Sequence, residues 1–178
     1  MIAIITRAGG GLPANVLPFA VNEVTLTGVE TLLVAGAYGA EHVCILAGPS
    51  KFDELAEVRT SIALANHILE GFGYGPDRFQ VIDAIDPEVV ETTLYSLDAL
   101  PGMPTAEFLA MGRKRSVMNQ ALQALHAAAP SAVDILALPD GAPFGAVQVN
   151  VEGCTLCLAC VGACPTGAMK DNPDMPQL

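Results

Sequence analysis

Cys154, Cys157, Cys160 and Cys164, followed at once by Pro165, form the run C-x2-C-x2-C-x3-C-P. Thiols at this spacing suit one kind of chemistry. Three thiolates two residues apart wrap one face of a cluster of iron and inorganic sulfide, each reaching a different iron, while the amides of the tight loop point at sulfur. A structural zinc ion usually takes two C-x2-C knuckles a dozen or more residues apart, and consecutive short gaps suit one tetrahedral ion poorly. Disulfides closed within so tight a loop would be strained. The run therefore points to a 4Fe-4S cluster and electron transfer, with Cys154, Cys157, Cys160 and Cys164 as cofactor-binding metal ligands and no catalytic residue among them.

The destination of Cys164 is a separate question. In chains with two clusters, the fourth cysteine of such a run ligates the other cluster. The 178 residues hold no second run, and Cys44, in the apolar stretch 42–47, reads as a small buried hydrophobe. Two readings stay open. Either the chain is a fragment of a longer protein in which Cys164 serves a second cluster, or Cys164 closes a single cluster with its three neighbours.

Composition narrows the partners. A hydrophobic content of 52% and a mean hydropathy of +0.46 are ample for a packed core. Eight basic against nineteen acidic residues give a net charge of −11, which opposes phosphate backbones and anionic membrane surfaces. Nucleic acid is not an expected partner. The one basic run, Arg113-Lys114-Arg115, reads as a solvated helix face. No stretch approaches the roughly 20 apolar residues of a membrane span. The apolar start lacks a preceding basic residue, so no secretory leader is expected. A soluble chain needing reduced thiolates fits the cytoplasm.

The elements that must position the cysteines alternate along the chain. Residues 2–6 predict a short β-branched strand ending in the glycine turn Gly9-Gly10-Gly11. That turn formally fits G-x-G-x-x-A, but Pro13 and Pro18 interrupt the helix a dinucleotide site requires, so it reads as a loop. Residues 27–40 suit a buried helix with Thr27 as cap and Glu30 completing a capping box. A second strand at 42–47 ends at Gly48-Pro49-Ser50, which caps a long helix to 69 or 70 with Asp53 and Glu54 in its first turn. Residues 79–82 predict a third strand, and Asp86-Pro87-Glu88 opens another helix with proline at its first position.

Residues 99–104 form a proline-broken linker, 105–129 one helix or two in tandem, 133–138 a fourth strand, and 146–151 an edge strand leading into the cysteine loop. This alternation argues an α/β fold, a mostly parallel sheet flanked by helices, followed by a partial ferredoxin-like iron-sulfur segment. The expected division is a Rossmann-like or flavodoxin-like domain over 1–138, a linker at 139–146 and the cysteine segment at 147–178. His42, His67 and His126 lie apart from one another and read as core or surface histidines. No nucleophile elbow, metalloprotease helix or phosphate-binding loop is present.

Residues 151–168 resemble the first half of a dicluster ferredoxin domain of the bacterial two-4Fe-4S type, matching at every ligand position. The resemblance implies that Leu158 and Val161 shield the cluster, that Ala159 and Ala163 let backbone approach it, and that Gly167-Ala168 begins the return strand. The second half of that domain is missing. More weakly, residues 1–146 resemble the α/β portion of large proteobacterial four-cluster iron-sulfur proteins, and 28–83 are similar to the iron-sulfur delta subunit of methyl-viologen-reducing hydrogenases. In the latter, cysteines after the central strand bind a cluster, whereas Ala47-Gly48-Pro49-Ser50 stands there in this chain. The expectation is an electron relay with one cluster, or two in a longer chain, serving a partner oxidoreductase such as a dehydrogenase or hydrogenase. Catalysis would belong to that partner and docking to the α/β part. The rival readings are a flavin- or nucleotide-binding reductase module with a ferredoxin outlet, and a non-redox docking module.

Overall fold

The computed structural model describes residues 1–174 other than 132, 146, 166 and 173. The chain divides into two compact units, Met1–Gly141 and Ala142–Leu178.

The first unit is built on one β-α-β crossover. Strand β1 (Val43–Leu46) and strand β2 (Phe79–Ile82) pair in parallel from Val43 opposite Phe79 to Leu46 opposite Ile82. Both are short apolar runs, and parallel pairing demands a crossover long enough for a helix. Helix α3 (Ala56–Gly71) supplies it and packs on β2. Its inward residues Val58, Ile62, Ala65, Ile68 and Leu69 recur at helical spacing and are buried. Helix α2 (Val29–Ala37) lies against α3 and against α5 (Lys114–Ala127). Gly36 of α2 permits the close approach, since a Cβ there would stand 3.1 Å from the Met103 methyl and 3.4 Å from the Phe79 ring. Helix α4 (Pro87–Tyr95) starts as its sequence dictates: the Asp86 carboxylate accepts the Glu88 N–H at 2.9 Å, with proline in the first turn.

Buried polar side chains fasten the irregular segments to this frame. Arg78, immediately before β2, is fully buried; its guanidinium donates to the carbonyls of Tyr74, Glu41 and Pro101. Each histidine ring pairs its Nε2 with a backbone carbonyl: His42 with Asp98 at 2.9 Å, His67 with Ala137 at 2.7 Å and His126 with Val133 at 3.0 Å. The three are clamps on the connections, in keeping with a structural reading.

Several expectations are corrected. The sheet among the described residues has two strands, so the fold is helices around a small parallel pair rather than a mostly parallel sheet. Residues 2–6 form part of helix α1 (Ile2–Ala8), not a strand. With no neighbouring strand to pair with, the β-branched residues yield to tertiary packing, and the helix turns Ile5, 1% exposed, into a cluster with Ile82 and Val90. Residues 133–138 are not a strand either, their end carbonyls being held by His126 and His67.

The helix expected over 105–129 begins only at Lys114. Upstream, the Tyr38 hydroxyl donates to the Phe108 carbonyl at 2.7 Å and accepts the Ala110 N–H at 3.2 Å, while Ala106 N–H reaches the Ala37 carbonyl. These bonds hold the segment extended, and Gly112 at φ +112° then sets a left-handed break that a helix cannot cross. After β1, residues Pro49–Glu54 make a 3-10 turn before α3, so Asp53 and Glu54 lie outside its first turn and Glu57 takes that place. Lys51 steadies the turn by bridging Glu23 and Glu54. The capping box does not form: Gly28 is the N-cap of α2 and Glu30 pairs with Lys114 at 3.0 Å. That ion pair also ties down the centre of the basic run.

In the second unit, residues 147–151 form no strand, and Ala146 lies outside the described residues. Its helix is α6 (Ala159–Ala163). Among the described residues no helix is long and apolar enough to cross a membrane.

Candidate metal centre

The cysteine loop is shaped by local hydrogen bonds rather than by a core. Asn150 opens it: its side-chain oxygen accepts the N–H groups of Glu152 at 3.2 Å and Gly153 at 3.3 Å, an Asx turn that reverses the chain just ahead of Cys154. Cys154 N–H then meets the Val151 carbonyl. Leu156 and Leu158 both adopt the left-handed region, at φ 55° and 59°. Two leucines there cost backbone energy, and such strain concentrates at functional loops. Its effect here is a tight winding that brings successive amides to the inside of the turn around Cys157. Helix α6 follows with Leu158 as N-cap, places Cys160 in its first turn and ends at Cys164, whose carbonyl accepts the Gly167 N–H at 3.2 Å.

Electrostatics of the loop favour the thiolate at its centre. The Ala159 N–H at the Cys157 sulfur, and next to it the Thr155 hydroxyl, hold the Cys157 thiol below its ordinary range, with burial opposing weakly. A backbone amide aimed at sulfur is the donor pattern that an iron-sulfur ligand loop requires. Cys44 behaves in the opposite sense. It is half-buried among Ile5, Ile82 and Val90, burial pushes its thiol up, and Gln80 Nε2 approaches its sulfur at 3.5 Å. It packs against the core as a small apolar residue, but half-buried rather than buried as its sequence context implies.

Cys154, Cys157 and Cys160 are exposed and Cys164 is half-buried. Among the described residues no three His, Cys, Asp or Glu side chains surround a common metal position. The donor set nonetheless fits a 4Fe-4S group: soft thiolates on one short loop, one already favoured as the anion, with amides turned toward sulfur. Of the two residues expected to shield the cluster, Leu158 is exposed and Val161 is half-buried. Sequence reasoning missed the parts played by Asn150, Thr155 and the two left-handed leucines. Asn150 carried a signal, since Asn ahead of Glu-Gly is turn chemistry; the left-handed leucines carried none.

The glycine turn after α1 offers no comparable site. The Gly10 N–H is bonded by the Glu91 carboxylate of α4 at 2.6 Å, and a Cβ on Gly9 would collide with the same carboxylate. Negative charge already occupies the place a pyrophosphate would need.

Residues 147–170 match the model of the 4Fe-4S binding domain family. Neither a curated protein nor a solved structure matches the chain significantly. The matched span contains all four cysteines of the run together with Asn150, the left-handed leucines and α6, and the match indicates 4Fe-4S cluster binding by this segment.

Proposed function

We propose that this chain relays single electrons to or from a partner oxidoreductase through a 4Fe-4S cluster held by Cys154, Cys157 and Cys160, with Cys164 as the fourth thiolate of the run. One observation carries the reading: the cysteines stand in the ligand spacing of a cluster loop inside the span matched to the 4Fe-4S binding domain. When bound, the cluster supplies one-electron chemistry at a potential set by ligation, amide hydrogen bonds and solvent exposure. The chain's own residues set those terms. Ala159 N–H and the Thr155 hydroxyl favour the charged form of the Cys157 sulfur, and Asn150 fixes the entry of the loop.

The Met1–Gly141 unit holds its connections in place with Arg78 and three histidines and is assigned to docking the partner. Chemistry on a substrate belongs to that partner, a dehydrogenase or hydrogenase being the class that exchanges electrons with such a carrier. The need for reduced thiolates supports the cytoplasm as its compartment.

The test is a reduced-state electron paramagnetic resonance spectrum of anaerobically purified protein beside its Cys154→Ala, Cys157→Ala and Cys164→Ala variants. Loss of the signal on replacing Cys154 or Cys157 supports the ligand assignment. A signal retained in Cys164→Ala assigns that thiolate to a second cluster, and its loss assigns it to the first. A wild-type chain that binds zinc and no sulfide refutes the reading.

A further inference from the structure

Among the described residues the outer edge of β2 is open at one residue, and a strand-like segment of the same chain lies against α3, whose His67 also borders that edge. Val43 N–H bonds Arg78 O at 3.0 Å and Ala47 N–H bonds Ile82 O at 3.2 Å, so alternate residues of β2 turn toward β1 and Phe79 and Val81 turn away. The Asn66 side chain of α3 covers the first of these, donating to Phe79 O at 2.9 Å and accepting Phe79 N–H at 3.0 Å as a neighbouring strand would. Val81 has no such cover among the described residues. A groove lined by Arg59, Ile62, Asn66, His67, Phe79 and Val81 runs along this edge.

Residues 133–138 start from the right place and run in the right direction to fill it. Ser131 N–H bonds Phe72 O, Leu136 lies over Gly71, and Ala137 O bonds His67, so the segment retraces α3 from its C-terminal end backwards. Because α3 joins two parallel strands it is antiparallel to both, and the segment is therefore parallel to β2. Its sequence, Val-Asp-Ile-Leu-Ala-Leu, is that of a strand, yet Ile135 is 89% exposed. Two of its carbonyls are taken by histidines, Val133 O by His126 and Ala137 O by His67, while Asn66, next to His67, caps the edge at Phe79.

We infer that residues 133–138 are a conditional third strand, clipped to α3 by His67 and able to pair in parallel with β2 through Val81 once that clip opens. The sheet then gains an edge order of β1, β2 and the new strand, and the main-chain groups of Val81 gain partners that now face the groove.

Amide hydrogen exchange followed by NMR on the full chain tests this with His67→Ala and with His67→Ala/Ile135→Pro. His67 is half-buried and outside the core, and Ile135 is exposed, so both variants keep the packed residues in place. In the wild type, Val81 N–H exchanges much faster than Ile82 N–H, which bonds β1. In His67→Ala it slows at least about tenfold together with alternate amides of 133–138, and the added proline, lacking an N–H, returns it to the wild-type rate. Wild-type protection of Val81 equal to that of Ile82 overturns the inference, as does fast exchange persisting in folded His67→Ala. Protection that survives the added proline overturns it too.

Discussion

Replacing Arg78 by methionine tests how the first unit is held together. The guanidinium is fully buried and donates hydrogen bonds to three carbonyls: Tyr74 O from both Nε at 2.8 Å and a terminal nitrogen at 2.5 Å, Pro101 O at 2.7 Å and Glu41 O at 3.2 Å. Methionine fills much of the volume and removes the cost of burying a cation, but leaves those carbonyls unpaired. An orphaned buried acceptor costs about 1–3 kcal/mol. Tyr74 O, the most enclosed, contributes about 2 kcal/mol, and the two partly buried carbonyls about 1 kcal/mol each, a gross loss of about 4 kcal/mol from which relief of the buried cation takes back about 2 kcal/mol, leaving a net loss of about 2 kcal/mol. Against a typical stability of about 5–15 kcal/mol this is a large fraction. Urea unfolding read by tyrosine emission, in a chain with three tyrosines and no tryptophan, should show a midpoint lower by about 1 M for a slope of about 2 kcal/mol/M. Arg78→Lys, which keeps the charge but not the planar fork, should fall between. A shift below about 0.5 M at unchanged slope refutes the claim that this side chain ties Glu41, Tyr74 and Pro101 together.

Other outcomes follow from the same physics. Alkylation of Cys157 in the metal-free, reduced chain should rise with pH at a midpoint below the ordinary thiol value of 9.0, and Thr155→Val should move that midpoint up; mass spectrometry of the labelled peptide reads both. Cys44 and Tyr74 are raised by burial from 9.0 and 10.0, so the folded chain holds their protons longer than the unfolded one. Their contribution is complete below about pH 9 and is lost as pH climbs through the folded values; chemical denaturation at stepped pH should show the decline, and Cys44→Ala should remove its first part. Asp86→Ala deletes the acceptor for Glu88 N–H and should cost about 1 kcal/mol, lowering the thermal midpoint by about 2–4 °C.

What the sequence disclosed depended on how local the determining interaction is. The 4Fe-4S binding segment was legible because cysteine spacing is written into consecutive residues, and Asp86-Pro87 announced its helix through a cap spanning three residues. Strands β1 and β2 were legible as short apolar runs set apart by turn chemistry. Elements decided at long range were not. Residues 2–6 have strand composition, but whether a β-branched run is a strand depends on a neighbour to pair with, and here packing on α4 wins. Residues 133–138 read as a strand for the same reason, while His67, 70 residues before Ala137, and the nearby His126 take their carbonyls. Residues 105–111 had helical composition but are drawn extended by the Tyr38 hydroxyl and the Ala37 carbonyl, about seventy residues away.

The most direct test of the electron-carrier account is the count of iron and acid-labile sulfide per chain after anaerobic purification. The account predicts about four of each, and near zero of each in Cys157→Ala. Zinc in place of iron, with no sulfide, would contradict it.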